Sequence, residues 1–162
     1  MDVVVNASPL IFLAKLNRLD LLSHLFTKVY TTVTVKREVT SNPDKHPEAL
    51  LVLEAFKTGK ILVLNPKKTL SVTTTVDAGE LSVLALAKEL NLENVVLDDY
   101  KAIQLAKSLS LRPISTIFLL VKAQKARVIT KEDCLRNIEQ LSLYGYHFSI
   151  ELYRKIVDLL GE

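Results

Sequence analysis

DAGELSVLALAKELNLENVVLDD, residues 77–99, carries acidic residues at both ends of what reads as one helix followed by one buried strand. Leu81, Leu84, Ala85 and Leu86 recur at helical spacing, Asp77 stands where a cap is needed, and Val95, Val96 and Leu97 form a short apolar run. A helix of about twelve residues rises roughly 18 Å, and a returning strand of about five residues covers roughly 16 Å. Glu80, at the helix start, is therefore expected to lie near Asp98 and Asp99, at the strand end, in a carboxylate cluster.

Toward the amino terminus, Val3–Val5 reads as a buried strand with Asn6 at its carboxyl end. Ser8 is expected to cap a helix with Pro9 at its first position and Leu10, Ile11, Leu13 and Ala14 on its apolar face. A second helix is expected from Arg18 to Phe26, and a second strand from Lys28 to Tyr30. Thr31 or Thr32 then caps VTVKREV as a short helix with Glu38 in its second turn, although its Val and Thr content keeps a strand reading open. Ser41–Pro47 is a turn-rich loop, Glu48–Lys57 a helix ended by Gly59, Lys60–Leu64 a strand, and Asn65–Thr75 a connection with exposed Lys67 and Lys68.

Toward the carboxyl terminus, Ala102, Ile103, Leu105, Ala106 and Leu109 mark a helix, Arg112–Ile114 a strand, and Thr116–Ala126 a helix capped by Ser115 or Thr116. Thr130–Leu143 and Ser149–Leu160 each open on a capping residue and read as helices. Strands alternating with helices imply an α/β fold with a parallel sheet covered on both faces, whose ligands bind outside the carboxyl ends of the strands. Asn6, Glu38, Glu80, Asp98 and Asp99 are all expected on that rim.

The 162 residues suffice for one domain, 1–162, with a self-sufficient core. Cys134 is the only cysteine, which excludes an intramolecular disulfide and a multi-cysteine zinc site and fits a reducing cytoplasm. The opening MDVVVNASPL lacks the basic start and long apolar core of a signal peptide, and no uncharged apolar run approaches the ~20 residues of a membrane span. A formal charge of +3 is only a weak pointer to a polyanionic partner.

Crowded carboxylates repel one another unless a cation binds or a proton is shared. Mg²⁺ or Mn²⁺ suits such oxygens, leaves coordination positions for phosphate, and activates water for attack at phosphorus. A competing reading leaves Glu80 and Asp98 as cap and loop carboxylates on a solvated edge. Neither GxGxxG nor GxxxxGK[ST] occurs, and Ser8 lacks the GxSxG setting of a nucleophile. His24, His46 and His147 are scattered without ligand spacing, and Cys134 reads as a small core residue. Lys122, Lys125, Arg127, Lys131 and Arg136 form a phosphate-contacting group if they share a face. Tyr144 and Tyr146 stack on bases or, the favoured reading, pack against the last helix.

VVVNASPLIFLAKL, VKREV, DAGELSVLALAKEL and VVLDDYKAIQLAKSL, in this order and spacing, resemble the PIN-domain family, in its prokaryotic branch related to VapC-type toxins. The resemblance implies a three-layer α/β/α sandwich and a Mg²⁺- or Mn²⁺-dependent ribonuclease site. On that match Asn6 takes the place of the first acid, Glu38 the second, Glu80 the third and Asp98 or Asp99 the last, with Ser8 as an accompanying hydroxyl. Catalysis is then assigned to Glu38, Glu80, Asp98 and Asp99, metal ligation to Asn6, Glu80, Asp98 and Asp99, and substrate contacts to Ser8, Lys122 and Lys125. Homodimers and an inhibitory antitoxin partner also belong to the family pattern. Asn6 departs from it, offering a neutral carbonyl where most active members carry Asp, so a non-catalytic module that binds RNA or a protein is the alternative.

Overall fold

The computed structural model describes residues 1–42 and 44–161. Among them the chain runs β1 (Val3–Val5), α1 (Ala7–Lys15), α2 (Asp20–Leu25), β2 (Val29–Thr32), α3 (Val33–Thr40), α4 (Ala49–Lys57) and β3 (Leu62–Leu64). It continues through α5 (Ala78–Glu89), β4 (Asn94–Val96), α6 (Tyr100–Ser108), β5 (Arg112–Ile114), α7 (Thr116–Lys125), α8 (Lys131–Leu143) and α9 (Ile150–Leu160). The strands form one parallel sheet in the order β3-β2-β1-β4-β5.

β1 is the middle strand, and all three of its valines are fully buried. A strand without alternation is what a sheet covered on both faces demands. α5 packs on β1, β2 and β4 and touches α6, whereas α1 packs against α3, α4 and α7. The expected α/β/α layering is thus present. The sheet grows leftward from β1 to β2 and β3 and rightward to β4 and β5, so the connections diverge between β1 and β4. Asn6 and Asp98 follow those two strands, at the switch point where such sheets bind ligands.

Several boundaries differ from expectation. α1 begins at Ala7, with Asn6 as its N-cap and no side-chain capping bond, so Ser8 and Pro9 lie within the first turn rather than at its edge. Pro9 is tolerated there because the first turn's N–H groups have no intrahelical partner. The second strand is Val29–Thr32 rather than Lys28–Tyr30, and its buried Thr31 hydroxyl donates to Val5 O. Thr32 ends that strand and caps α3, accepting from Val35 N, which decides VTVKREV for helix. α2 is shorter than Arg18–Phe26, β3 is confined to Leu62–Leu64, and β4 starts one residue early at Asn94. Gly59, at φ +74°, follows α4 as its C-terminal reversal. Of the expected Ser41–Pro47 loop, the residues on either side of Pro43 are neither helix nor strand, and Pro43 lies outside the described residues. None of the described helices is long and apolar enough to cross a membrane.

Candidate active site

The start of α5 is the centre of the rim. Asp77 accepts from Glu80 N at 2.8 Å, while the Glu80 carboxylate reaches back to accept from Asp77 N at 3.2 Å. This reciprocal capping box satisfies two of the orphan donors at the helix start. Gly79 sits between them, and its missing side chain makes room for oxygen atoms from Asp77 and from two other segments. A Cβ there would stand 3.1 Å from Glu38 Oε2, 3.4 Å from Asp77 Oδ1 and 3.9 Å from Asn6 Oδ1. Asn6 is buried at 5% exposure, and its Oδ1 has no hydrogen-bond partner.

The electrostatics follow from this crowding. Burial, then the charge of Asp77, raises the Glu38 carboxyl above the usual range. Glu80 is pushed up to about 7, first by burial and then by Asp77, against the lowering bond from the Asp77 backbone, with Asp99 and Glu38 adding further repulsion. Among the described residues Glu38, Asp77, Glu80, Asp98 and Asp99 form no ion pair with Lys, Arg or His. The positive charge such a group ordinarily attracts is not supplied by any ion pair among the described residues.

Asp98 belongs to a second group. Its Oδ1 accepts from Thr116 N at 2.8 Å and from the Tyr146 hydroxyl at 2.9 Å. Its Oδ2 accepts from Thr116 Oγ1 at 2.7 Å and from Ser8 Oγ at 3.4 Å. Burial still outweighs these four bonds and raises its pKa. Asp99 caps α6 by accepting from Ala102 N at 3.0 Å. The two neighbouring acids therefore fasten the starts of two different helices, α7 and α6.

Asn6, Glu38, Glu80, Asp98, Asp99 and Ser8 all lie at the rim, but Glu80, Asp98 and Asp99 are each turned to their own hydrogen-bond donors. Among the described residues no group of three or more His, Cys, Asp or Glu is disposed to hold a metal ion without rearrangement. The donor set nevertheless suits a hard divalent cation, being entirely oxygen and including one orphaned carbonyl oxygen, Asn6 Oδ1, that borders the same space beside Gly79 as Glu38 and Asp77.

Lys122 and Lys125 stand in the last turn of α7, whereas the rim lies at its first residue, and Lys125 Nζ donates to Leu159 O at the end of α9. The structure does not bring them to the acids. Cys134 is buried, and burial pushes its thiol up to about 11, so it is no nucleophile at neutral pH. His24 and His46 face Asp20 and Glu48, and Arg136 pairs with Asp133.

Three participants escaped the reading of the sequence. Asp77 was visible as a cap, but its approach to Glu38 arises from the packing of α3 on α5. Thr116 carried only a capping signal. Tyr146 packs edge-on against Phe12, as its packing role required, yet its hydroxyl also reaches Asp98 across 48 residues.

A family model described as a PIN domain matches residues 2–162. No curated protein matches the chain. A solved PilT N-terminus domain protein from the hyperthermophilic archaeon Sulfolobus solfataricus P2 is similar in structure, with a TM-score of 0.56 and 19% identity. The likeness covers 76% of this chain and 93% of that one, and at this identity it is a likeness of fold.

Proposed function

The chain belongs to the PIN-domain family, whose members are generally nucleases, and from that premise we propose that it is a divalent-metal-dependent ribonuclease acting at the rim around Gly79. The observation that carries this reading is the buried, unpartnered Oδ1 of Asn6 among acids that have no cationic partner among the described residues. PIN domains generally use divalent metal ions. Asn6, Glu38, Asp77 and Glu80 are the residues that would hold Mg²⁺ or Mn²⁺ here, with Asp99 close enough to act on Glu80. When bound, such an ion polarises phosphate oxygens and lowers the pKa of water.

The chain's own residues supply the rest. Glu80, whose carboxyl stands at about 7 in the metal-free chain, would give up its proton when a cation binds, so the rim takes up metal more readily as pH rises through neutrality. Glu38 lies at the solvent side and is placed to orient water. Asp98 is a positioning residue that ties Ser8, Thr116 and Tyr146 into one support. Asn6 replaces a negative donor with a neutral one, so the rim repels a phosphodiester less and holds a cation more weakly. The toxin role and the antitoxin partner rest on the resemblance alone.

The test is cleavage of a labelled RNA with Mn²⁺, with EDTA as control. Glu80→Gln and Glu38→Gln are each expected to slow cleavage roughly 10- to 100-fold. Wild-type rates in both would remove the rim from the chemistry. Asn6 also favours a second reading, a module that binds RNA or a protein without cutting. Calorimetric titration with Mn²⁺ separates the two, because the module predicts no metal binding with RNA or partner binding retained.

Gly79→Ala offers a separate handle. The new methyl group would press on Glu38 Oε2 while improving the helix propensity of α5 by up to about 1 kcal/mol. The expected outcome is weaker Mn²⁺ binding by calorimetry with a melting temperature equal to or above wild type. Unaltered Mn²⁺ affinity would mean that the cradle around Gly79 is not where the cation sits.

A further inference from the structure

Two exposed aromatic side chains stand on the rim without a use in the chemistry above. Tyr100 is 73% exposed and is the first residue of α6, directly after its cap Asp99. Phe118 is 40% exposed in the first turn of α7, where its N–H donates to the Ser115 cap. α6 and α7 leave the carboxyl ends of β4 and β5, which are neighbours in the sheet. Asp98 binds the first residue of α7 and Asp99 caps α6, so the two aromatic residues stand in the first turns of the two helices that the adjacent acids hold.

Lys101 follows Tyr100. Its Nζ donates to Thr75 Oγ1 at 2.9 Å, which fastens α6 to the segment that enters the capping box two residues later at Asp77. A neutral hydroxyl is its partner, and among the described residues it makes no ion pair. Its charge is free for a phosphate. An exposed ring, a second ring from the next strand end and a cation beside them are what an unpaired nucleic acid strand uses, since each base offers a face to stack and each link an anion.

We propose that Tyr100 and Phe118 form a base-stacking lip that leads single-stranded RNA across the acidic rim, with Lys101 on its phosphate backbone. The proposal rests on the ribonuclease reading for the identity of the strand. Stacking on ring faces is tolerant of sequence, so the lip selects unpaired strands over duplexes rather than one base over another.

The chain contains no tryptophan, so Tyr100→Trp introduces a single reporter at the lip. It is titrated in Mg²⁺ with a mixed-sequence 2′-O-methyl oligoribonucleotide of about ten nucleotides, which resists cleavage, and with the duplex of the same sequence. The single strand is expected to quench the tryptophan and the duplex to leave it nearly unchanged. By fluorescence anisotropy, Tyr100→Ala and Phe118→Ala are each expected to weaken single-strand binding roughly tenfold, with circular dichroism melts as in wild type. Unchanged affinity in the double variant, or an unquenched tryptophan with the strand bound, overturns the proposal. Quenching and weakened binding in a chain that never cleaves RNA would support the lip and remove the catalytic reading. Metal-dependent cleavage with KM unaffected by the double variant would do the reverse.

Discussion

Asp98→Ala is expected to lower the free energy of unfolding by about 3 kcal/mol, the loss typical when an ionised acceptor is removed from several largely buried donors. Thr116 N–H, Thr116 Oγ1, the Tyr146 hydroxyl and the more distant Ser8 hydroxyl would all lose their acceptor. Thr116 is fully buried, so water does not readily replace the carboxylate. For a chain of this length the change corresponds to a fall in Tm of about 6–12 °C. Tyr146→Phe removes one donor and leaves the others in place, so about 1–2 kcal/mol is expected. Urea titration of the two single variants and the double variant measures their coupling. Additive losses would mean that Tyr146 and Asp98 do not act on each other.

The metal-free protein is expected to lose stability as pH rises from about 4.5 to 8, by up to about 3 kcal/mol through Glu80. Its carboxyl is held at about 7 in the folded chain, above the ordinary 4.5. A group whose folded pKa is raised binds its proton more tightly when folded. Its contribution is therefore complete below about pH 4.5 and is lost as pH passes through about 7. Glu38 and Asp98 are shifted in the same direction and add to the slope. Glu80→Gln should flatten most of it, and Mn²⁺ should stabilise the wild type more at pH 8 than at pH 5, because the metal needs the ionised carboxylates. Urea unfolding at both pH values, with and without Mn²⁺, is the measurement. A slope as steep in Glu80→Gln as in wild type would assign the pH dependence elsewhere.

The layering of the fold was legible because Val3–Val5 and residues 95–97 are short apolar runs without alternation and six of the described helices open on Asp, Ser or Thr caps. The six valines and leucines of these two runs are all buried, as strands covered on both faces require. The acids were harder to resolve. Helix and strand lengths bring Glu80 back to the pair Asp98 and Asp99, and Asp99 does act on Glu80. Length alone does not tell the two apart. Successive side chains on an extended backbone point to opposite sides, and Asp98 turns to α7 while Asp99 turns to α6. Ser8 was misplaced as a cap because Ser-Pro is also compatible with the first turn itself, where Pro lacks only an N–H that had no partner. Tyr146 was read for its ring, and the bond from its hydroxyl is a tertiary contact that no local pattern announces.

The order of the strands also sets a timetable for the nascent chain. β1 is made first, yet Val5 pairs with Val96 on one side, so the middle of the sheet waits for β4. At roughly 5–20 residues per second of synthesis, about 5–20 s separate the two. Asp98 then waits for Tyr146, whose hydroxyl completes its set of bonds. Asn6 and Glu38 are therefore translated long before the acids they face, and the rim closes only when most of the chain has been made.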